Sequence, residues 1–301
     1  MRACVNLERL RLLHAVATEG SVARAAATLV VTPSAASQQL AKLEKETGQR
    51  LLARDGRGVR LTDAGHRLVD HAKRILALVE EARADLEEHR GRVYGTLAVA
   101  SFATAARGLL PEVMARMAAR HPELCVELRE QDPGESIPAV ARGAVDVALV
   151  QDWATEPLVV PDGLATTALF DDQVDVALPA EHPSAGREQI DLDEVAGQRW
   201  ISWPSGSICH AWLLHTLRSR GVEPLIAHTV AEHSTQLALV AAGQGIGIIP
   251  RLGRGRLPGG VRVVPVRPAL SRRVHVVWRT GAGRRPAIRA VLDVLTTTPP
   301  G

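Results

Sequence analysis

The stretch "TPSAASQQLAKLEKETGQRLLAR", residues 32–54, decides the fold of the N-terminal part of the chain. Ala36, Leu40 and Leu43 recur at positions i, i+4 and i+7, which predicts a helix that buries these residues on one face. The leading turns of that helix are uncharged and slim, and its charges begin only further along. The residues left on the outer face are Ser34, Ala35, Ser37, Gln38 and Lys42.

The residues before this helix predict two further helices. "LERLRLLHAVATEG" (residues 7–20) has apolar residues at helical spacing and ends at Gly20, a residue typical of helix C-caps. "VARAAATLV" (residues 22–30) is short and rich in alanine, so another helix can pack closely against it. Ser21 and Thr32 are placed to cap the second and third helices.

The outer face of the third helix suits the major groove of DNA. A groove about 12 Å wide admits a helix whose leading turns carry hydrogen-bonding side chains for base edges and whose later turns carry cations for phosphates. We expect Gln38 and the neighbouring serines to reach bases, and Lys42 and Lys45 to reach the backbone. The small, uncharged residues in the first turns of the third helix therefore indicate a recognition helix.

The segment "QRLLARDGRGVRLT" (residues 49–62) predicts a hairpin turning at Asp55-Gly56, that is, a wing. A single arginine there would be an ordinary solvated charge. Several arginines around one hairpin beside a helix-turn-helix instead indicate phosphate contacts. These arginines are Arg50, Arg54, Arg57 and Arg60.

The net charge of +3 hides an asymmetry along the chain. Residues 1–76 hold 13 Lys and Arg against 7 Asp and Glu, a net charge of +6. The remainder holds 23 against 26, a net charge of −3. A basic N-terminal module on a slightly acidic body indicates a polyanionic partner for the module alone.

A long charged helix is predicted from Thr62, over residues 62–91. Its apolar residues step by 4, 3, 4, 3 and 4, which is a heptad seam. Either the body of the protein or a second copy of the same helix must cover this seam, and the polar other faces favour the second copy. The seam residues are Leu68, Ala72, Ile75, Val79, Ala82 and Leu86.

The N-terminal residues resemble those of LysR-type transcriptional regulators. The resemblance rests on "GSVARAAATLVVTPSAASQQLAKLEKETGQRLLAR" (residues 20–54) followed by "RGVRLTDAG" (residues 57–65). Ala36 stands where larger apolar residues are frequent in the family, and Gln38 where arginine is also common. These departures bear on which DNA sequence is bound and not on the class of protein.

The rest of the chain predicts an α/β fold. "GTLAVASF", "LCVELRE" and "VDVALV" alternate with helical segments, which is typical of βαβ units on a parallel sheet, and a second series from "QVDVALP" to "IGIIP" repeats the alternation. This part resembles the effector-binding domain of the same family, whose fold is similar to that of periplasmic solute-binding proteins. Two α/β halves with a cleft between them are expected.

The fold class is thus an N-terminal all-α winged helix-turn-helix with a long linker helix, followed by an α/β effector-binding domain of two subdomains. We place the DNA-binding domain at residues 1–61 and the dimerising linker helix at 62–91. The effector-binding domain is expected over residues 92–301. Its halves are predicted at roughly 92–165 plus 267–301 and at 166–266.

Small-molecule clefts in such folds lie beyond the carboxyl ends of strands, where helix N-termini favour anions. Two turns place hydroxyls there, "SFATAARG" (residues 101–108) and "SWPSGSICH" (residues 202–210), and the resemblance implies that they contact the effector. Ordinary helix capping is the alternative for each hydroxyl. The candidates, with two further residues near predicted strand ends, are Ser101, Thr104, Gln131, Ser202, Ser205, Gly206, Ser207 and Ser234.

The charge around the first turn favours a particular class of effector. Arg107 is close in sequence, and no acidic residue lies between Ser101 and Leu110. Together with the helix N-termini this favours an anion, a small carboxylate.

Other chemistries lack the pattern they require. "GQGIG" (residues 243–247) follows a helix and leads into a strand, the reverse of a dinucleotide-binding loop. His210 and His215 are spaced five apart, which on a helix separates them by about 140°, so no metal site is expected. "WPSGS" (residues 203–207) lacks the leading glycine of a nucleophile elbow. We expect neither an enzyme nor a bound cofactor.

The cysteines and the hydropathy of the chain indicate the cellular compartment in which the protein acts. Cys4, Cys125 and Cys209 are odd in number and far apart, so we expect reduced thiols and no disulfide framework. No run of about 18 apolar residues exists to span a bilayer, so we expect no membrane partner and a cytoplasmic location.

The sequence therefore predicts a transcriptional regulator that binds promoter or operator double-stranded DNA and a small-molecule effector, as a homodimer or homotetramer. The alternative is a cytoplasmic small-molecule-binding protein of solute-binding fold without regulatory output. An exported solute-binding protein would need a signal peptide, and an α/β enzyme would need a convergent acid, base or cofactor loop.

Overall fold

The computed structural model describes residues 6–55, 58–89 and 91–299 of the chain. The described N-terminal part contains α1 (Leu7–Glu19), α2 (Val22–Thr28), α3 (Pro33–Thr47), β1 (Leu52–Asp55) and β2 (Gly58–Leu61). The two strands pair antiparallel as the predicted wing. Gly56 and Arg57 of this wing, like Cys4, lie outside the described residues.

Local capping fixes the ends of these helices. Gly20 ends α1 in the left-handed conformation with φ of 63°, which glycine adopts at little cost. Ser21 Oγ accepts a hydrogen bond from the Arg24 N–H at 3.5 Å, and Thr32 Oγ1 accepts one from the Ala35 N–H at 3.1 Å. The predicted caps of α2 and α3 are therefore present.

The core of the N-terminal part lies where α1, α2 and α3 meet. Leu13, Ala26 and Leu43 are fully buried there. The wing is held against the start of the next helix at Gly65, where an added Cβ would come within 2.2 Å of the Leu51 carbonyl oxygen. Only glycine allows this approach, so the wing and the long helix have a fixed geometry.

The long helix α4 (Asp63–His89) joins the two parts of the chain. Thr62 Oγ1 caps it by accepting from the Gly65 N–H at 3.0 Å. Its far end is tied to the C-terminal part by ion pairs from Glu80 to Arg279 at 3.4 Å and from Glu87 to Arg285 at 3.0 Å. The helix is therefore anchored at both ends within one chain.

The C-terminal part alternates strands and helices. Its first series is β3 (Gly95–Ser101), α5 (Ala103–Gly108), α6 (Leu110–Arg120), β4 (Leu124–Glu130), α7 (Pro133–Ala141) and β5 (Val147–Trp153). Its second is β6 (Leu164–Pro179), β7 (Ile190–Asp191), β8 (Arg199–Ser202), α8 (Ile208–Arg218), β9 (Leu225–Thr229), α9 (His233–Ala241) and β10 (Ile246–Pro250). The chain ends with β11 (Val261–Val264), β12 (Val266–Arg267), β13 (Leu270–Arg279) and α10 (Pro286–Thr297).

Among the described residues, one sheet runs in the order β4-β3-β5-β13-β6-β10-β8-β9, with β11 also paired to β6. The strands at each end are parallel, as predicted. The expectation of a parallel sheet is wrong for the middle, because β6 and β13 run antiparallel to each other and to their outer neighbours. Apolar runs in a sequence do not record strand direction, which explains the error.

Separate apolar clusters pack on the two ends of this sheet. One contains Leu97, Met117 and Val291, and another contains Trp200, Leu213 and Ile248. In the described ranges no helix combines the length and the apolarity that crossing a bilayer requires.

Candidate functional site

The outer face of α3 presents polar side chains at its N-terminal end. Ser34, Ser37, Gln38 and Lys42 are exposed, and Ala35 is half-buried. The Ser37 hydroxyl donates to the Pro33 carbonyl within the helix at 2.8 Å. Within the described ranges the Gln38 amide has no hydrogen-bond partner, so its donor and acceptor are free for a ligand.

The adjacent glutamine has a different environment. Gln39 Oε1 accepts from Arg9 Nε at 2.8 Å, and Arg9 also pairs with Glu46. This arrangement fastens α1 to α3. The sequence places the two glutamines side by side, and in the fold only Gln39 is half-buried and bonded to another helix.

The wing is fixed to α3 by one carboxylate. Glu44 Oε1 accepts from the N–H groups of Leu51 at 2.8 Å and Leu52 at 3.1 Å. The basic side chains around it are exposed, and in the described part of the chain none of them forms an ion pair. These unpaired cations are Lys42, Lys45, Arg50, Arg54 and Arg60.

The two central strands of the sheet, β13 and β6, bury an ion pair between them. Arg272 on β13 and Asp172 on β6 are direct neighbours in the strand register, with side chains only 2% and 4% exposed. Arg272 Nε donates to Asp172 Oδ2 at 2.8 Å, and Arg272 Nη2 donates to Thr104 Oγ1 at 2.6 Å. We call the cluster formed by these residues the junction. It consists of Phe102, Thr104, Gln151, Asp172, Cys209 and Arg272.

The other junction residues complete the contacts across it. Arg272 also donates to Gln151, whose Nε2 donates to Cys209 Sγ at 3.1 Å. The guanidinium lies 5.0 Å from the centre of the Phe102 ring. Burial raises the pKa of Cys209 to about 11, so this thiol is held in its unreactive form.

The first predicted turn lies at the junction. Ser101 is fully buried, and its hydroxyl donates to the Phe102 carbonyl at 3.2 Å. Thr104 is engaged by Arg272 as described. The Arg107 side chain is held in place, because its Nε donates to the Gly253 carbonyl at 2.6 Å. Gly253 itself packs so closely on α5 that an added Cβ would lie 2.4 Å from the Thr104 carbonyl oxygen.

The second predicted turn separates into a buried and an exposed part. Ser202 is fully buried and its Oγ lies 2.9 Å from His210 Nδ1. Ser205 and Gly206 are exposed, and Gly206 has φ of 91°. Ser207 Oγ caps α8 by accepting from the His210 N–H at 3.2 Å.

The two further candidates differ from each other. Gln131 is half-buried, and its Oε1 has no partner among the described residues. The Ser234 hydroxyl is exposed and donates to Glu232. Hydrogen bonds from Ser234 and Thr235 lower the pKa of Glu232 to about 2, so a carboxylate already occupies the N-terminus of α9.

His233, beside this cap, is buried and its Nε2 has no partner in the described part of the chain. Burial lowers its pKa to about 4; the positive charges of Arg107 and Arg272 add to that effect, and the Glu232 carboxylate opposes it. The imidazole is therefore neutral at physiological pH.

Two sequence profiles of known families match this chain. The profile described as "Bacterial regulatory helix-turn-helix protein, lysR family" matches residues 7–66, which hold α1 to β2. The profile described as "LysR substrate binding domain" matches residues 90–299. The chain belongs to the LysR family. It is a transcriptional regulator with a helix-turn-helix domain for DNA and a domain for a small-molecule effector.

This LysR-type regulator has relatives over most of its length. It is 30% identical over 296 residues to "Probable HTH-type transcriptional regulator LrrA" of Synechococcus elongatus, covering 98% of both chains. It is 31% identical over 217 residues to "Probable RuBisCO transcriptional regulator" of Chlorokybus atmophyticus, covering 72% of this chain and 69% of that one. A full-length OxyR variant of Pseudomonas aeruginosa shares its fold, with a TM-score of 0.66 and 23% identity over 98% and 96% of the two chains.

On the linker helix α4 of the regulator, the predicted seam residues have different environments. Ala72 is fully buried within its own chain, whereas Ile75, Ala82 and Leu86 are exposed and Leu68 and Val79 are half-buried. Leu78, which the heptad pattern omits, is 65% exposed beside them. The apolar stripe of this helix therefore consists of the exposed Ile75, Leu78, Ala82 and Leu86 with the half-buried Val79 between them.

The sequence prediction missed the junction residues Arg272, Asp172 and Gln151 of this LysR-type regulator. A signal for the first two was present. Arg272 shares the inward phase of its strand with Val274 and Val276, and Asp172 lies two residues before Val174, the start of a continuously buried run. A charged residue at an inward strand position indicates a buried pair or a site.

Proposed function

We propose that this LysR-type regulator reads its operator through the N-terminal end of α3. In this proposal Gln38 contacts a base, together with Ser34, Ala35 and Ser37. Lys42, Arg50, Arg54, Arg57 and Arg60 contact phosphates. The observation that carries the proposal is the free, exposed amide of Gln38 beside the engaged amide of Gln39. A glutamine amide can bond bidentately to adenine, which gives base discrimination.

The matched pair of glutamines provides the test. Gln38→Ala should weaken binding to the operator by about 1 to 3 kcal/mol and leave binding to random DNA nearly unchanged. Gln39→Ala should affect domain stability, because it releases Arg9, and should not alter sequence preference. Both are measured by fluorescence anisotropy on the operator found by genomic footprinting. Equal losses of Gln38→Ala on both DNAs would contradict base readout.

We propose further that the effector is a small anion, a carboxylate, bound at the junction. Its support is Arg107 after the first turn, whose guanidinium is exposed and forms no ion pair in the described part of the chain. The positions named for effector contact are Ser101, Thr104, Gln131, Ser202, Ser205, Gly206, Ser207 and Ser234. Among them, the neutral hydroxyl of Ser207 at the start of α8 leaves that helix N-terminus able to attract an anion.

Calorimetry with a panel of carboxylates and amines tests the effector class. Removal of one contacting hydroxyl, in Ser101→Ala or Thr104→Val, should reduce carboxylate affinity by about 1 to 3 kcal/mol. Ser234→Ala should reduce it less, because that hydroxyl donates to the Glu232 carboxylate, whose negative charge would repel an anion. A tightest ligand that is cationic would contradict the proposal.

We also propose that a second copy of α4 covers the apolar stripe and makes the regulator a homodimer or a homotetramer. Isolated apolar side chains are common on surfaces, but five along one helix face form a contiguous strip suited to helix pairing. Ile75→Asp and Val79→Asp would each place a charge in that pairing. Sedimentation that still shows the wild-type oligomer in both variants would exclude this interface.

A further inference from the structure

A cavity of about 420 Å³ lies where the DNA-binding domain, α4 and the effector-binding domain meet. Its walls come from α1 and the end of α2, from the middle of α4, and from loops beside α7, β6 and β13. The volume lies within the range of small-molecule sites, about 300 to 1,000 Å³. Its lining includes no residue of the junction and none of the positions named above for effector contact.

The charges on the cavity wall are nearly balanced. Four carboxylates face five Lys and Arg side chains, and burial followed by the charge of Lys73 lowers the pKa of His14, which keeps it neutral. Most of these cations have acidic partners. The pairs are Arg11–Glu8 at 2.7 Å, Lys73–Asp162 at 3.6 Å, Arg83–Glu80 at 3.4 Å and Arg279–Glu80 at 3.4 Å.

Arg142, just after α7, is the exception. It is half-buried, and within the described ranges no carboxylate or other acceptor pairs with its guanidinium. Burial, followed by repulsion from Arg129, lowers its pKa. A partly desolvated cation without a counter-ion is unfavourable in the folded chain, so binding an anion there would relieve it.

A second donor lies next to Arg142 on the same wall. Arg279 bonds the Val140 and Val145 carbonyls through Nη1 at 3.0 Å each, but its buried Nε has no partner among the described residues. Its guanidinium approaches the turn after Arg142, since a Cβ on Gly143 would lie 3.5 Å from Arg279 Nη1. One corner of the cavity thus holds two guanidinium groups, and the donors of Arg142 have no partner in the described part of the chain.

The remaining lining is partly apolar, with Leu29, Leu76, Pro138 and Leu164 among its residues. A ligand suited to both features has an apolar body and one negative charge. A carboxylate matches the planar fork of a guanidinium and would supply the counter-ion that Arg142 lacks among the described residues. We propose that this cavity is a second small-molecule site, which binds an organic monocarboxylate through Arg142 and lies apart from the effector cleft.

Binding there would couple the two domains. A ligand that touches α1, α4 and α7 at once has its full affinity only in the arrangement that brings them together. Its occupancy therefore stabilises that arrangement, and the DNA-binding domain is held against the effector-binding domain of the same chain. This input to regulation goes beyond the effector proposed at the junction.

The test uses the full chain with 1-naphthoate as probe, with its uncharged amide as the chemical control. Calorimetry should show that Arg142→Gln weakens naphthoate binding at this site about tenfold or more, the usual worth of a charge-assisted pair. Arg129→Gln removes the neighbouring cation outside the cavity and should change affinity only about twofold, the weak effect of an exposed charge. The amide should bind Arg142→Gln and wild type alike.

Hydrogen exchange locates the probe. Saturating naphthoate should protect backbone amides at residues 11–29 and 138–143. Protection confined to residues 101–107 and 205–212 would assign the probe to the junction and overturn the proposal. Absence of saturable binding within the solubility of naphthoate would overturn it as well.

A steric variant covers the case in which Arg142→Gln does not fold. Thr18 is exposed on the α1 wall, so Thr18→Trp fills the cavity without disturbing Arg142. We expect Thr18→Trp to abolish protection of residues 138–143 by naphthoate. If Thr18→Trp blocks binding but Arg142→Gln binds like wild type, the cavity is an apolar site and the carboxylate pairing is wrong.

Discussion

The recognition helix and the junction show two ways of building a site. In α3, residues adjacent in sequence form one exposed face, so the pattern of the sequence is the pattern of the surface. At the junction, Thr104, Gln151, Asp172, Cys209 and Arg272 come from distant parts of the chain and are buried. Local patterning specifies the first site, whereas long-range strand pairing specifies the second.

The largest effect should come from breaking the junction. Arg272→Met leaves Asp172 buried and unpaired, which should destabilise the effector-binding domain by about 3 to 5 kcal/mol. Urea unfolding followed by tryptophan fluorescence measures this, since all five tryptophans lie between residues 153 and 278. The double variant Arg272→Met with Asp172→Leu should recover most of the loss. A single-variant loss below about 1 kcal/mol, the value of an exposed pair, would place the pair in solvent.

His233 should make the junction side of the molecule acid-sensitive. Its pKa is lowered to about 4 in the folded chain, and a histidine in an unfolded chain titrates near 6.5. The unfolded chain therefore takes up the proton first, so stability is complete above about pH 6.5 and declines between pH 6.5 and 4, by up to about 3 kcal/mol. His233→Gln should lack that decline when the difference in unfolding free energy is measured against pH. A constant difference across this range would show that the imidazole is not buried in its neutral form.

The turn before the recognition helix should gain stability from a better residue. Val30 has φ of 55° and is 74% exposed, and a β-branched residue is strained in that region. Val30→Asn should stabilise the DNA-binding domain by about 1 kcal/mol, measured by hydrogen exchange over α1 to α3. Val31→Asn, on the exposed neighbour, is the control and should change stability by less than about 0.5 kcal/mol. Equal effects of the two variants would contradict backbone strain as the cause.

The smallest effect concerns the exposed cations of the recognition surface. Lys42→Gln should reduce the slope of log affinity against log salt by about 0.9 on operator and random DNA alike, because one phosphate contact is lost. Lys73→Gln removes a lysine that pairs with Asp162 and should leave the slope unchanged. DNA titrations of both variants and of the wild type at several salt concentrations give these slopes. Equal slopes for Lys42→Gln and wild type would show that Lys42 does not contact a phosphate.

Much of the fold could be predicted from the sequence, because its signals are local. The caps at Ser21 and Thr32, the buried face of α3 and the extent of α4 depend on residues a few positions apart. The antiparallel crossing of β6 and β13 could not, because it depends on which strands pair. For the same reason the sequence did not predict Asp172 as the partner of Arg272. The inward position of Arg272 on an alternating strand could be predicted.

The cavity beside Arg142 lies further from what a sequence can predict. Its walls require the relative position of α1, α4 and α7, which no local pattern encodes. The lack of an acidic partner for Arg142 becomes visible only once the ion pairs of the other cations on the cavity wall are known.

Because α4 is anchored at both ends, it can transmit a rotation from the effector-binding domain to the wing. Its 27 residues correspond to about 40 Å at 1.5 Å per residue. The pairs of Glu80 with Arg279 and Glu87 with Arg285 fix one end to the effector-binding domain, and the packing at Gly65 fixes the other to the wing. A tilt of about 5° about the Glu80 contact would displace Gly65, about 22 Å away along the helix, by roughly 2 Å. A rotation of a few degrees at the effector-binding domain would thus move the wing by enough to break a hydrogen bond of ordinary length.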